Sequence, residues 1–331
     1  SSSQVKDALL SDLFSFSTNS YLDDLEDSYK ERVVSQRSLL SGNNIENFLN
    51  NFRHTESGSI ISDIHVFQGY TRIKPTSIKN DFKYLLIKLL SKMHPYSFAE
   101  RDWIKWNYNQ FKKSNSFASN YKESLNFVGN PPYIREKDSF IWNNRWIRSL
   151  YLRDKLYSIL GTRLNNVETI LDIGGCYGAF IGLMANDYPE KKYYMVDLAE
   201  NIPLAAYYIS SNFPDKTLGI INHESDIDNK KSDFTLIPAH LFSTISNSSF
   251  DLLCNYVSFG EMSRKHYDEY IKSNAYLRSK YLHIVNRFSS APFYSVSWTN
   301  NQNIFDYNIN PSNLVYFDIF PFYHFFPLVE N

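Results

Sequence analysis

Cysteine is scarce in this chain, with two in 331 residues, Cys176 and Cys254. Lone thiols on separate expected strands build neither a disulfide framework nor a zinc cluster, and a reducing cytoplasm suits them. No charge of one sign dominates either. Lys and Arg number 34 against 35 Asp and Glu, so the chain lacks the basic footprint of a nucleic-acid binder, and no nucleic acid is expected as partner. Long apolar runs are missing: none nears the roughly 18 residues that span a bilayer, and the polar start SSSQVKDALL does not look like a signal peptide. No HxxxH or clustered Asp/Glu pattern marks a metal site, so no metal is expected. The first residue is not Met and the end, FPFYHFFPLVEN, stops while still apolar, as in a piece of a longer polypeptide.

Aromatic residues, by contrast, make up 17% of the chain, with 25 Tyr and 25 Phe. They form either a stacking surface for sugars or bases, or the trace of an AT-rich coding genome. The length allows two structural units. Over 5–52 apolar residues recur at three- and four-residue spacing among charges, which predicts two or three amphipathic helices. Segments 81–93 and 97–113 predict two more, and 60–75 (IISDIHVFQGYTRIKP) an extended stretch or small hairpin. Residues 1–128 thus read as a mainly helical accessory or substrate region. FVGNPPYIR, with its Gly and two prolines, sets the boundary near Gly129, and a helix over about 142–160 follows.

Within 129–331, strands and helices then alternate: ETILDIG, GAFIGLMAND, KKYYMVD, IPLAAYYISSNF, DFTLIP, SFDLLCNYVSF, KHYDEYIKSNAYL and KYLHIVNR. This order predicts an α/β, Rossmann-like sheet, mostly parallel, built from right-handed crossovers. The late runs APFYSVSW and NLVYFDIF are expected as an antiparallel pair on one edge.

The segment 167–178 (VETILDIGGCYG) reads as a buried strand and a glycine turn opening a helix. Gly174 and Gly178 sit where the chain turns sharply and where a missing Cβ lets a ligand approach the backbone. Asp172 ends that strand, and Asp197 ends the next, where a carboxylate accepts hydrogen bonds from ribose hydroxyls. The spacing is not GxGxxG, because Cys176 and Tyr177 stand where a pyrophosphate needs small residues, and this disfavours a dinucleotide.

These residues resemble the class I S-adenosylmethionine-dependent methyltransferases, whose DxGxxxG motif and second-strand acid match Asp172, Gly174, Gly178 and Asp197 over about 167–287. Within that class the runs ILDIGGCYGAF, YMVDLAEN, FTLIPAHLF and FDLLCNYVSFGEMS look like sugar O-methyltransferases of bacterial surface-polysaccharide loci. The resemblance implies S-adenosylmethionine as cofactor and a glycan or small-molecule acceptor, with a homodimer allowed. It places the ribose at Asp197 with Leu198 beside the adenine, the methionine part along Asp172, Gly174, Gly175, Tyr177 and Gly178, and Pro238, Ala239 and His240 at the adenine. DFTLIPAH lacks the carboxylate that many such enzymes offer the adenine amino group; backbone groups or His240 would substitute.

Transfer to a hydroxyl needs an aligned acceptor and a base. Glu261 either binds sugar hydroxyls, acts as base, or is a carboxylate at a helix N-terminus. His266 has the pKa of a base but sits on a helix that can face solvent. Asn255 and Tyr256 follow the fourth strand as acceptor contacts, and Arg287 ends KYLHIVNR within reach of an anionic sugar. His283 reads as a core histidine and His324 as an outsider. Asn130 to Tyr133 spell NPPY, the motif with which nucleic-acid amino-methyltransferases grip a flipped base. Here it reads instead as a loop at the pocket mouth or a brace for the N-terminal helices, with Tyr133 touching substrate. A third reading is a carbohydrate-binding or assembly module that has lost catalysis.

Overall fold

A computed structural model describes residues 27–54, 57–61, 109, 122, 124–131, 134–135, 141–287 and 302–318. Two N-terminal helices come first, α1 (Asp27–Ser41) and α2 (Ile45–Asn51), then a single turn, α3 (Ser124–Phe127). Ile134–Arg135 and Ile141–Trp142 pair antiparallel as a two-rung ladder. The expected helix follows as α4 (Asn144–Leu160): Asn143, extended at φ −132°, accepts from the Trp146 amide, and Gly161 at φ 50° ends it. That is ordinary capping chemistry, a polar side chain on an orphan N–H and a glycine where the chain turns left-handed.

The remainder alternates as the sequence predicts. It runs β1 (Thr169–Ile173), α5 (Ala179–Asp187), β2 (Lys192–Asp197), α6 (Ile202–Asn212), β3 (Leu218–Ile220), β4 (Phe234–Pro238), β5 (Leu252–Tyr256), α7 (Arg264–Ile271), α8 (Asn274–Leu277) and β6 (Tyr281–Val285). The strands form one sheet in the order β3-β4-β2-β1-β5-β6, and every pairing is parallel. This is a Rossmann-like sheet. β1 is central, with β2 on one side and β5 on the other. The chain leaves β1 toward β2 and later returns to its other flank, which makes the C-terminal ends of β1, β2 and β5 the topological switch point.

Two differences from the sequence reading stand out. The short strand β3 is not among the expected elements, because TLGII offers only three ladder residues between a turn and a polar stretch. The antiparallel edge is not found: residues 291–298 lie outside the described residues, and 314–318 form no strand. The six strands of the main sheet are all parallel.

Alternate strand residues feed two cores. On one face Ile170, Met195 and Cys254 join Trp146, Leu150, Phe180, Tyr208 and the N-terminal Phe48 and Phe52. On the other, Leu171, Val196 and Leu253 pack with Tyr267, Tyr276 and Tyr307. The N-terminal helices are therefore part of the same core as the sheet. Gln36 of α1, fully buried, donates to the Glu200 carbonyl at 2.7 Å, and Arg37 pairs with the Glu200 carboxylate. Among the described residues, many of the aromatic side chains are ordinary core. No helix among the described residues is long and apolar enough to cross a membrane.

Candidate functional site

The turn after β1 is shaped by left-handed backbone: Gly174 at φ 78°, Cys176 at 63° and Gly178 at 85°. Gly178 caps α5. The space beside the other two glycines is already filled by the protein. A Cβ on Gly174 would overlap the Ser258 side chain, and one on Gly175 would stand 2.6 Å from Met195 Cγ and 2.9 Å from Asp172 Oδ2. The glycines thus serve close packing of the turn on its neighbours, a stricter demand than ligand approach alone. Gly174, Gly175 and Cys176 stay half-buried, so the turn is still partly exposed at the sheet end.

Asp172 and Asp197 lie on one face at the ends of adjacent strands, the first in register with Met195 and the second with Pro238. Asp197 is tightly held. Its Oδ2 accepts from the Cys176 amide at 2.6 Å, and its Oδ1 accepts from the Leu198 amide and Asn201 Nδ2, both at 2.7 Å. Burial nevertheless pushes its pKa to about 6 against these hydrogen bonds. Asp172 is 1% exposed, and neither carboxylate oxygen has a partner among the described residues. Burial, and then the Asp197 charge, push it to about 8. Two buried acids with one left unsatisfied is a costly arrangement for a ligand-free protein.

Around them, Leu198, Ala239 and His240 are half-buried and Pro238 is buried. Burial lowers the His240 pKa. Tyr177 departs from its expected place: its ring is buried edge-on to Phe52 and Tyr208, under the Arg53 guanidinium, so only its backbone borders the turn.

β5 delivers the second half of the site. Val257, at φ 73°, is a β-branched residue in the left-handed region, a genuine outlier, and the turn Ser258–Glu261 follows. Asn255, expected at the acceptor, is fully buried with its amide used internally. It donates to the Ile173 carbonyl at 2.7 Å and accepts from the Phe259 amide and Asn286 Nδ2, so it ties β1 to this turn. Tyr256 is half-buried, its hydroxyl 2.8 Å from His283 Nδ1. Burial takes His283 down to about 4, a neutral imidazole satisfied by that tyrosine.

Glu261 is half-buried with its pKa raised by burial, against the pull of Arg287, Arg148 and Arg145. Arg287 Nη2 lies 3.5 Å from its Oε1. His266 sits in the first turn of α7 with Nδ1 3.0 Å from Ser263 Oγ, the cap of its own helix. The structure therefore brings Asp172, Gly174, Asp197, Ser258, Glu261 and Arg287 around one sheet end.

Tyr133 and His324 lie outside the described residues. Asn130 follows α3 rather than a strand of the sheet. It stands at φ 50°, donates to Asn51 Oδ1 at 2.7 Å, and the preceding Gly129 packs on Phe52. That placement makes the GNP turn a brace against α2, not the strand end a base-flipping motif needs.

Sequence reasoning passed over Asn201, Ser258, Arg145 and Arg148. The two arginines carry a legible signal, their i, i+3 spacing in the helix NRWIRS, which puts both on one face.

No family model matches the chain, and no curated protein does. Solved structures similar to it include the mitomycin 7-O-methyltransferase MmcR, at 10% identity over 78% of this chain and 82% of that one, with a TM-score of 0.29. An O-methyltransferase family protein from Burkholderia thailandensis is similar at 11% identity over 74% and 72%, with a TM-score of 0.26. These likenesses are weak, and the functional reading rests on the chain's own residues.

Proposed function

We propose that the chain binds S-adenosylmethionine at the ends of β1 and β2 and directs its methyl group to a hydroxyl. The observation that supports this best is the buried Asp172 carboxyl, without a partner on either oxygen among the described residues and beside a second buried acid. Such a pair calls for a cation, because a nearby positive charge favours the ionised form of both. A dinucleotide would bring a doubly negative pyrophosphate to the same spot. S-adenosylmethionine instead carries a sulfonium and an ammonium, and when bound it supplies an electrophilic methyl group.

The protein's own part is binding, orientation and proton removal. Asp197 Oδ2 takes one protein hydrogen bond, which leaves it acceptor capacity for a ribose hydroxyl. Leu198, Pro238, Ala239 and His240 would flank the adenine. The backbone from Gly174 to Gly178 would hold the methionine part. Glu261 is the proposed base, since burial raises its pKa toward the range where a carboxylate accepts a proton efficiently. The sugar acceptor, from a bacterial surface glycan or its precursor, rests on the likeness of the quoted runs. Residues 1–128 are proposed as the accessory region beside it.

Two results test this. Asp197→Asn keeps the side chain's size but removes its charge and one of its two acceptor oxygens, and should weaken S-adenosylmethionine binding roughly tenfold or more by calorimetry. Unchanged affinity would remove the pocket from Asp197. Glu261→Gln should lose most turnover while cofactor binding is retained, whereas His266→Ala should keep it. The reverse pattern would make His266 the base.

A further inference from the structure

Three guanidinium groups act on the charge of the single carboxylate of Glu261, and one of them, that of Arg287, lies 3.5 Å from it. Arg145 and Arg148 come from one face of α4 and Arg287 from the end of β6, and each acts electrostatically on Glu261. Arg145 also reaches the glycine turn, donating from Nη1 to Cys176 Sγ at 3.1 Å. Arg287 pairs with Glu261. Arg148 differs from both: among the described residues it makes no hydrogen bond or ion pair, and its Nε is buried without a partner. Burial and the neighbouring Arg145 lower its pKa to about 10. A guanidinium held among two others, with one carboxylate shared between them, is an incomplete electrostatic arrangement. What completes it is a planar or tetrahedral oxyanion, which a guanidinium fork binds through two parallel hydrogen bonds.

We propose that the acceptor carries an anionic group, a carboxylate or a phosphate, and that Arg148, flanked by Arg145 and Arg287, binds it. This deepens the methyl-transfer reading and rests on it for the word acceptor. The anion site itself rests on Arg148. An acidic or phosphorylated sugar anchored there would be held beside the turn that carries Glu261, so that a fixed hydroxyl, rather than any hydroxyl, meets the base. Arg148 is a binding residue in this account and takes no part in proton removal.

The test is calorimetry on the full chain with three probes of similar size, glucuronate, glucose 1-phosphate and glucose, each with and without S-adenosylhomocysteine. S-adenosylmethionine is titrated in parallel. At least one anion is expected to bind the wild type roughly tenfold or more tighter than glucose, and Arg148→Gln should remove that preference. Arg148→Lys should restore it in part, since charge returns without the fork. Preference for glucuronate or for glucose 1-phosphate assigns the group as carboxylate or phosphate. Equal binding of all three, or an anion preference that survives Arg148→Gln, overturns the proposal. So does loss of S-adenosylmethionine affinity in Arg148→Gln with anion binding intact, which would give Arg148 to the cofactor's own carboxylate. A wild type that binds anions through Arg148 but no S-adenosylmethionine keeps the anion site and defeats the methyl-transfer reading instead.

Discussion

Asp172→Asn is expected to stabilise the ligand-free protein at pH 8 relative to pH 5 and to weaken S-adenosylmethionine binding. The Asp172 pKa is raised from 3.8 to about 8. A carboxyl raised in the folded state contributes stability that is present in full below its unfolded pKa and lost as pH climbs toward the folded one. The wild type should therefore lose stability steadily between about pH 4 and pH 8. At 1.36 kcal/mol per pH unit, the loss from this group is at most on the order of 5 kcal/mol. An Asn side chain pays its own cost for a buried amide, but that cost does not change with pH. The pH dependence is thus the cleaner reading: urea midpoints of variant and wild type should diverge from pH 5 to pH 8. Parallel profiles would mean that Asp172 is not a strained acid.

Gly174→Ala should cost roughly 3 kcal/mol or more of stability. Part is the left-handed backbone, φ 78°, worth about 1–2 kcal/mol against a residue with a Cβ. The rest is the overlap with Ser258, an overpacking that typically costs about 1–3 kcal/mol. Relief by moving Ser258 would drag the strained Val257 turn and Glu261 with it, so turnover should fall further than stability explains. Adding Ser258→Gly should recover the steric part and leave the backbone part. Chemical denaturation of the two variants checks this; equal loss in both would place the whole cost in the backbone.

The sheet was legible because parallel strands buried on both faces read as short apolar runs, and because Asp172, Gly174 and Asp197 fall at strand ends where the fold puts ligands. β3 was not, since three residues give too little pattern. The acids' positions could be read, but their strain could not: it arises from Asp197 being held by Cys176, Leu198 and Asn201 while Asp172 has no partner among the described residues. Asn255 shows the opposite failure. Its place at the end of β5 suggested a substrate contact, yet its amide is consumed in joining β1 to the next turn. Tyr177 fails for a similar reason, since the left-handed Cys176 turns its ring into the core with Phe52. The shared face of Arg145 and Arg148 was readable from their spacing, but nothing in one sequence tells that this face looks toward a strand end.

The most direct test of the account is a titration of S-adenosylmethionine into the wild type and Asp172→Asn at pH 7.5, in two buffers of different ionisation enthalpy. Binding of a cation beside Asp172 should pull its pKa down and release a sizeable fraction of one proton, so the wild-type enthalpy should depend on the buffer and that of Asp172→Asn far less. Absence of binding, or a wild type that binds with the same proton balance as Asp172→Asn, would contradict the claim that these two acids await a cationic methyl donor.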